Sequence, residues 1–200
     1  LPQEDFCQAL GVAPDRKYQG DGGPSMIDCL AVLANGERPE DDRHDFVLAQ
    51  FAFWLLAATD GHAKNFSIQH RRGGRFGLTP LYDVLSAWPI IGDGANRIPY
   101  QRAKLAMGVK ATNMHYGLRD IQARHWQRLA TTAAPGAWPR MLAMAERLDE
   151  ALDAVERELP ESFPVQVWEP VRPGMKPHAA LFLNAATAKS AAPNGPTGRK

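Results

Sequence analysis

Cysteine is scarce in this 200-residue chain, with only Cys7 and Cys29. Two thiols are too few for a disulfide framework or a cysteine-based zinc centre, and they suit a reducing cytoplasm. Long apolar runs are missing as well. The longest, FVLAQFAFWLLAA, covers about 13 residues where a bilayer-spanning helix needs about 20, so no membrane association is expected. An excess of one charge is missing too: 23 basic against 22 acidic residues leave +1, which argues against a polybasic, histone-like protein. No Gly-x-Ser-x-Gly elbow is present, which disfavours an α/β-hydrolase. No helix-turn-helix signature marks direct reading of DNA bases. Neither an initiator Met nor a signal peptide opens the chain, so a piece of a longer protein is expected.

What is present is 44% hydrophobic, enough for a real core. The near-zero charge conceals blocks. Residues 1–59 hold 4 basic and 10 acidic side chains, whereas residues 60–130 hold 11 basic and 4 acidic. The basic block is a candidate phosphate surface, although a solvated face explains it equally well.

Residues 3–10 read as a short helix stopped by Gly11, followed by a Gly- and Pro-rich loop over 12–24. Ser25 caps a helix to about Ala34. The next helix, 41–58, opens on Glu40, Asp41 and Asp42 and becomes apolar nearly all round, the pattern of a buried central helix. Residues 66–70 and 75–79 read as strands joined by Arg71-Arg72-Gly73-Gly74, a hairpin. Lys104–Val109 suits a short strand. Helices are expected over 119–133 and 137–159, the latter with an apolar stripe of Met141, Ala145, Leu148, Leu152, Val155 and Leu159. Seven of the 16 prolines fall in 160–200, which reads as an extended or disordered tail. The fold class is therefore mostly α with a small β-hairpin, divided into a domain over 1–159 and a tail over 160–200. Cys7 and Cys29 read as small core residues, and His44, His115 and His125 as surface residues.

The chemistry-bearing segment is Thr59-Asp60-Gly61-His62-Ala63-Lys64-Asn65-Phe66, then Leu81-Tyr82-Asp83. Phosphoryl transfer needs a carboxylate to take or orient the proton of the attacking hydroxyl, and hard oxygen ligands for Mg²⁺. In protein kinases the catalytic-loop Asp is followed by four residues and a metal-binding Asn, with a second metal-binding Asp further on. Asp60, Asn65 and Asp83 repeat that order and spacing across a hairpin. The same residues also have a structural reading: Asp60 capping a turn, Asn65 closing an Asx-turn, and His62 packed in a loop.

The segments TDGHAKNFS and LTPLYDVLSAWP, with LPQEDFCQALG, KLAMGVK and HWQRLA, resemble the C-terminal domain of HipA, the serine/threonine kinase toxin of bacterial HipBA toxin–antitoxin pairs. The resemblance covers about residues 1–159. It implies the C-terminal lobe of a protein-kinase-like, two-lobed fold. It implies Asp60 as catalytic base and Asn65 and Asp83 as Mg²⁺ ligands, with His62, Lys64 and Tyr82 lining the ATP phosphates. It further implies a HipB-like antitoxin partner, DNA reached through that antitoxin, and a protein substrate such as glutamyl-tRNA synthetase, whose phosphorylation drives dormancy and persistence.

Two departures stand out. Ala58 occupies the place where ordinary protein kinases carry a His. No Gly-rich phosphate loop or strand lysine is found, so activity is expected to require an N-terminal lobe. Two other classes remain open on the sequence: a non-catalytic remnant that docks an antitoxin or DNA, and a small-molecule phosphotransferase that shares the Asp-x4-Asn spacing.

Overall fold

The computed structural model describes residues 2–190. It is mostly helical, with two small antiparallel sheets. The first sheet contains β1 (Gln3–Asp5), β2 (Ser67–His70) and β3 (Phe76–Leu78), in that order. The second pairs β4 (Lys104–Lys110) with β5 (Met114–Gly117).

The expected helix over 3–10 is instead β1 followed by one helical turn, α1 (Phe6–Ala9). The reason is a capping box inside the segment. Asp5 accepts the Gln8 N–H, and the Gln8 side chain accepts the Asp5 N–H, so helix cannot extend back past Asp5. The residues before it are left extended and pair with β2 in the register Glu4 to Ile68. A second capping box, Ser25 with Asp28, starts α2 (Met26–Leu33) as expected.

The central helix α3 runs from Pro39 to Leu56. Its Phe46, Phe51, Phe53 and Trp54 are buried. Phe46 meets Phe6 and Phe66 edge-on at 5.8 and 4.9 Å, which joins α3 to α1 and the first sheet. One wall of the core is formed by α4 (Ala123–Ala133), where Trp126 is fully buried. The expected single helix over 137–159 breaks at Arg147 into α5 (Ala137–Glu146) and α6 (Leu148–Glu158). Arg147 leaves helical geometry at φ −92°, ψ 9°, and the redirected α6 buries Leu148 and Leu152 but leaves Val155 exposed.

The largest departure from expectation follows Leu159. In place of an extended tail the chain forms α7 (Val165–Trp168) and α8 (Val171–Ser190). The prolines misled because those at 164, 170 and 173 sit before or in the first turn of a helix, where a missing N–H costs nothing. Val171, Met175, His178, Ala179 and Phe182 form a stripe at steps of three and four and are all buried. Phe182 lies 4.6 Å from Phe51, so α8 is part of the same core as α3. The part of the expected tail beyond residue 190 lies outside the described residues.

The cysteines are buried and unpaired, with burial pushing both thiols up. The surface assignment fails for His125, which is 4% exposed and stacks on His115 with ring centroids 3.6 Å apart. It also fails for His44, which is partly buried and hydrogen-bonds to the Pro135 carbonyl at 2.5 Å. Among the described residues no helix is long and apolar enough to cross a membrane.

Candidate active site

The site begins where α3 ends. Ala57 turns the chain out of the helix with φ 50°, and its N–H still bonds back to Trp54. The last carbonyls of a helix have no partner within it. Here the carbonyls of residues 54–57 all gain a donor from elsewhere, Trp54 O in addition to the Ala57 N–H. Trp54 O accepts His178 Nδ1–H at 3.1 Å, and Leu55 O accepts Trp88 Nε1–H at 2.8 Å. Leu56 O accepts the Ser86 hydroxyl at 2.7 Å, and Ala57 O accepts the Ala87 N–H at 3.1 Å. Three of these donors sit just after Asp83 in sequence. The segment before Asp60 and the segment after Asp83 are thus fastened together.

From that end the chain runs through Asp60 and Gly61 to a single 3-10 turn, Ala63–Asn65. Gly61 is obligatory for space: a Cβ there would lie 2.2 Å from the Phe53 ring. Asn65 is 3% exposed and closes the loop, its Oδ1 accepting the His62 N–H at 3.0 Å. Its Nδ2–H donates to Asp83 Oδ2 at 2.7 Å across the hairpin. Asp83 is held at φ 55°, a left-handed conformation that Asp tolerates better than most residues. The hairpin therefore brings Asn65 and Asp83 into contact although 17 residues separate them.

Asp60 differs from this pair in being open, with its side chain 61% exposed. Its Oδ2 lies 3.9 Å from His62 Nε2, and its Oδ1 accepts the Tyr18 hydroxyl at 2.5 Å. That bond is the main reason the Tyr18 phenol is pushed up to about 12. Burial, then the charge of Lys17, push the His62 imidazole down, which favours its neutral form. His62 Nδ1 is buried without a hydrogen-bond partner.

The other expected residues are close by but engaged elsewhere. Lys64 pairs with Asp5 at 3.5 Å and is about one-third exposed. The Tyr82 hydroxyl donates to Lys64 O at 2.8 Å and lies 2.5 Å from Ser67 Oγ, so Tyr82 ties the loop to β2. Both act here as braces, and neither side chain is free as the structure stands. Sequence reasoning missed Tyr18 and Lys17, which lie in the loop between α1 and α2. The only signal there was one aromatic residue within a Gly- and Pro-rich stretch, too common a pattern to single out.

Part of the basic block is spent on ion pairs. Arg71 and Arg75 both reach Glu37, each at 2.6 Å. Such exposed pairs contribute little stability, but they remove two cations from any phosphate surface.

A mostly helical domain that sets an Asp, an Asn and a second Asp at the ends of a helix and a hairpin is the class of protein seen here. The family comparison makes it particular: the model of the HipA-like C-terminal domain matches residues 1–162, and the chain belongs to that family. Two proteins of Sinorhizobium fredii (strain NBRC 101917 / NGR234) are similar. "Putative kinase Y4mE" is 32% identical over 165 residues, covering 81% of this chain and 36% of its own length. "Putative kinase Y4dM" is 32% identical over 102 residues, covering 50% of this chain and 24% of its own. Among solved structures, the Shewanella oneidensis MR-1 toxin–antitoxin complex of HipA, HipB and operator DNA contains a chain of the same fold. Its TM-score is 0.78 at 18% identity, covering 96% of this chain and 46% of that one. The chain thus spans well under two thirds of the length of each of these proteins.

Proposed function

We propose that this chain is the C-terminal catalytic lobe of a HipA-type serine/threonine kinase. The observation that carries the reading is the Asn65–Asp83 contact at 2.7 Å, reached across the hairpin and following Asp60 at the kinase spacing. The donor chemistry fits Mg²⁺. Asp83 offers a carboxylate and Asn65 a carboxamide, whose oxygens are the hard ligands this ion prefers. The present contact is made by Asn65 Nδ2 while Oδ1 accepts the His62 N–H, so the amide must turn to ligate beside Asp83. Among the described residues no group of three or more His, Cys, Asp or Glu could hold a metal. A cation here would rest on Asn65 and Asp83 and take its remaining ligands from ATP phosphates and water. Bound there, Mg²⁺ would neutralise phosphate charge as the phosphoryl group moves.

Asp60 then acts as the base. Its exposed carboxylate would take the proton of the attacking serine hydroxyl as that oxygen bonds to the γ-phosphorus and the bond to the bridging oxygen breaks, ADP leaving. His62, in its neutral form, adds no positive charge to compete for that proton. Lys64 reaches a phosphate only by leaving Asp5, a move within the range of its flexible stem. The nucleotide-covering lobe, with its phosphate loop and lysine, would come from elsewhere in the two-lobed protein. A HipB-like antitoxin bound to DNA, and glutamyl-tRNA synthetase as substrate, extend the same reading.

The test places this domain in a two-lobed protein and follows transfer of label from γ-labelled ATP to the proteins of a bacterial lysate. Asp60→Ala should reduce transfer by at least a hundredfold, in the range typical for loss of an acid–base group. Undiminished transfer would overturn Asp60 as base. Label on a small molecule instead of protein would favour an antibiotic-type phosphotransferase.

A further inference from the structure

Taking Asp60 as the base, we infer that Tyr18 is its positioning residue: the phenol fixes one carboxylate oxygen so that the other faces the acceptor. Three observations converge. The Tyr18 hydroxyl donates to Asp60 Oδ1 at 2.5 Å, while Oδ2 makes no hydrogen bond among the described residues and lies 3.9 Å from His62 Nε2. The Tyr18 ring stands edge-on to His62 with centroids 5.2 Å apart, so its direction is set by packing as well as by the hydrogen bond. The loop that carries it is pinned. Gln19 Oε1 accepts the Gly108 N–H of β4 at 2.9 Å, and the Tyr18 carbonyl accepts the N–H groups of Asp21 and Gly23 at 3.0 and 2.9 Å. At Gly23 a Cβ would lie 2.2 Å from the Arg16 carbonyl oxygen, so the loop closes too tightly for any other residue.

A hydroxyl beside a kinase base could instead be a plug in the acceptor position. Exposure decides between the two. With Tyr18 bonded, the Asp60 side chain is still 61% exposed, so a substrate hydroxyl has a free approach to it. The pinned loop also suits a fixed support better than a part that must swing away. An exposed Asp side chain loses rotamer freedom when it must wait in one orientation. A charge-assisted hydrogen bond from a rigid phenol removes that loss before the substrate arrives.

The test compares wild type, Tyr18→Phe, Asp60→Asn and the double variant in the two-lobed protein. ADP release and label transfer to lysate protein are measured against ATP concentration. Tyr18→Phe keeps the ring on His62, and an unchanged melting temperature verifies that the fold is intact. It should lower kcat about tenfold with KM for ATP within twofold, since only the base is affected. In the double variant the Tyr18 change should cost nothing further, because the carboxylate it positions is gone. Loss of activity in Asp60→Asn with a wild-type Tyr18→Phe would overturn the role of Tyr18 alone. A gain in Tyr18→Phe would identify a plug and overturn it too. Full activity in Asp60→Asn would instead overturn the base assignment beneath it.

Discussion

Lowering pH should loosen the joint between α8 and α3 through one side chain, His178. The imidazole is 2% exposed, stacked on Trp54 with centroids 4.6 Å apart and edge-on to Trp88. Nδ1–H donates to Trp54 O at 3.1 Å, and Nε2 accepts the Tyr100 hydroxyl at 2.7 Å. Both bonds are made by the neutral ring. Burial pushes the pKa from 6.5 down to about 4. A group whose folded pKa is depressed in this way binds its proton more readily in the unfolded chain. Its contribution is therefore present above pH 6.5 and lost as pH falls toward 4. Linkage gives a loss of about 2 kcal/mol from His178 between pH 7.5 and 5. Other groups titrate in this window, among them His125, also pushed down to about 4 by burial and by its neighbour His115. The assay must therefore be differential. Urea unfolding of wild type and His178→Phe at pH 7.5 and pH 5 cancels the shared groups. The variant leaves the Tyr100 hydroxyl unpaired and the Trp54 carbonyl with the Ala57 N–H at 3.3 Å, and at pH 7.5 should be weaker by about 1–3 kcal/mol. That gap should shrink, or reverse, by about 2 kcal/mol at pH 5 as the wild type loses its advantage. A gap of the same size at both pH values would refute the buried neutral histidine.

Phe182→Ala removes a ring that is 1% exposed and lies 4.6 Å from Phe51 and 5.2 Å from Trp138. It should cost about 3–5 kcal/mol in urea unfolding, whereas a loosely docked α8 would lose under about 1 kcal/mol. Gly61→Ala drives a methyl group to 2.2 Å from the Phe53 ring, which is itself 1% exposed and packed 5.3 Å from Phe66. Overpacking of this kind should lower stability by about 1–3 kcal/mol and displace Asp60, seen as a lower melting temperature and weaker phosphoryl transfer.

The parts of the fold legible in the sequence were those with local, periodic signals. The buried run in α3, the Ser25 cap and the Arg-Arg-Gly-Gly hairpin all declare themselves within a few residues. β1 did not, because Gln3 and Glu4 carry no strand pattern and become extended only through the Asp5 cap and the edge of β2. α8 was obscured by composition: its alanines, threonines and prolines read as tail, and its apolar stripe has meaning only beside Phe51 and Trp54. Asp60, Asn65 and Asp83 stood out because their order and spacing along the chain match the kinase pattern, and the hairpin brings the last two into contact. Tyr18 was not, since the partner that gives it meaning lies 42 residues away. Nor could the sequence tell that Lys64 would pair with Asp5, a contact that exists only once β1 lies beside β2.

The manner in which α3 ends explains how an exposed site can hold its geometry. Asp60 and Asp83 are both at the surface, where side-chain packing cannot fix them. Their separation must come from the backbone on either side. Of the carbonyls of residues 54–57 the helix end itself serves Trp54 O, through the Ala57 N–H at 3.3 Å, and a carbonyl left unpaired would carry a desolvation cost of about 1–3 kcal/mol. Ser86, Ala87 and Trp88 satisfy three of them, so the strand of chain leaving Asp83 is held by the same groups that terminate the helix leading to Asp60. His178 gives the fourth a second donor and brings α8 into the joint. Residues far outside the Asp-x4-Asn segment thus set the distance on which that segment depends. Loosening α8 should be felt first at the end of α3, and hence at Asp60, before the rest of the core gives way.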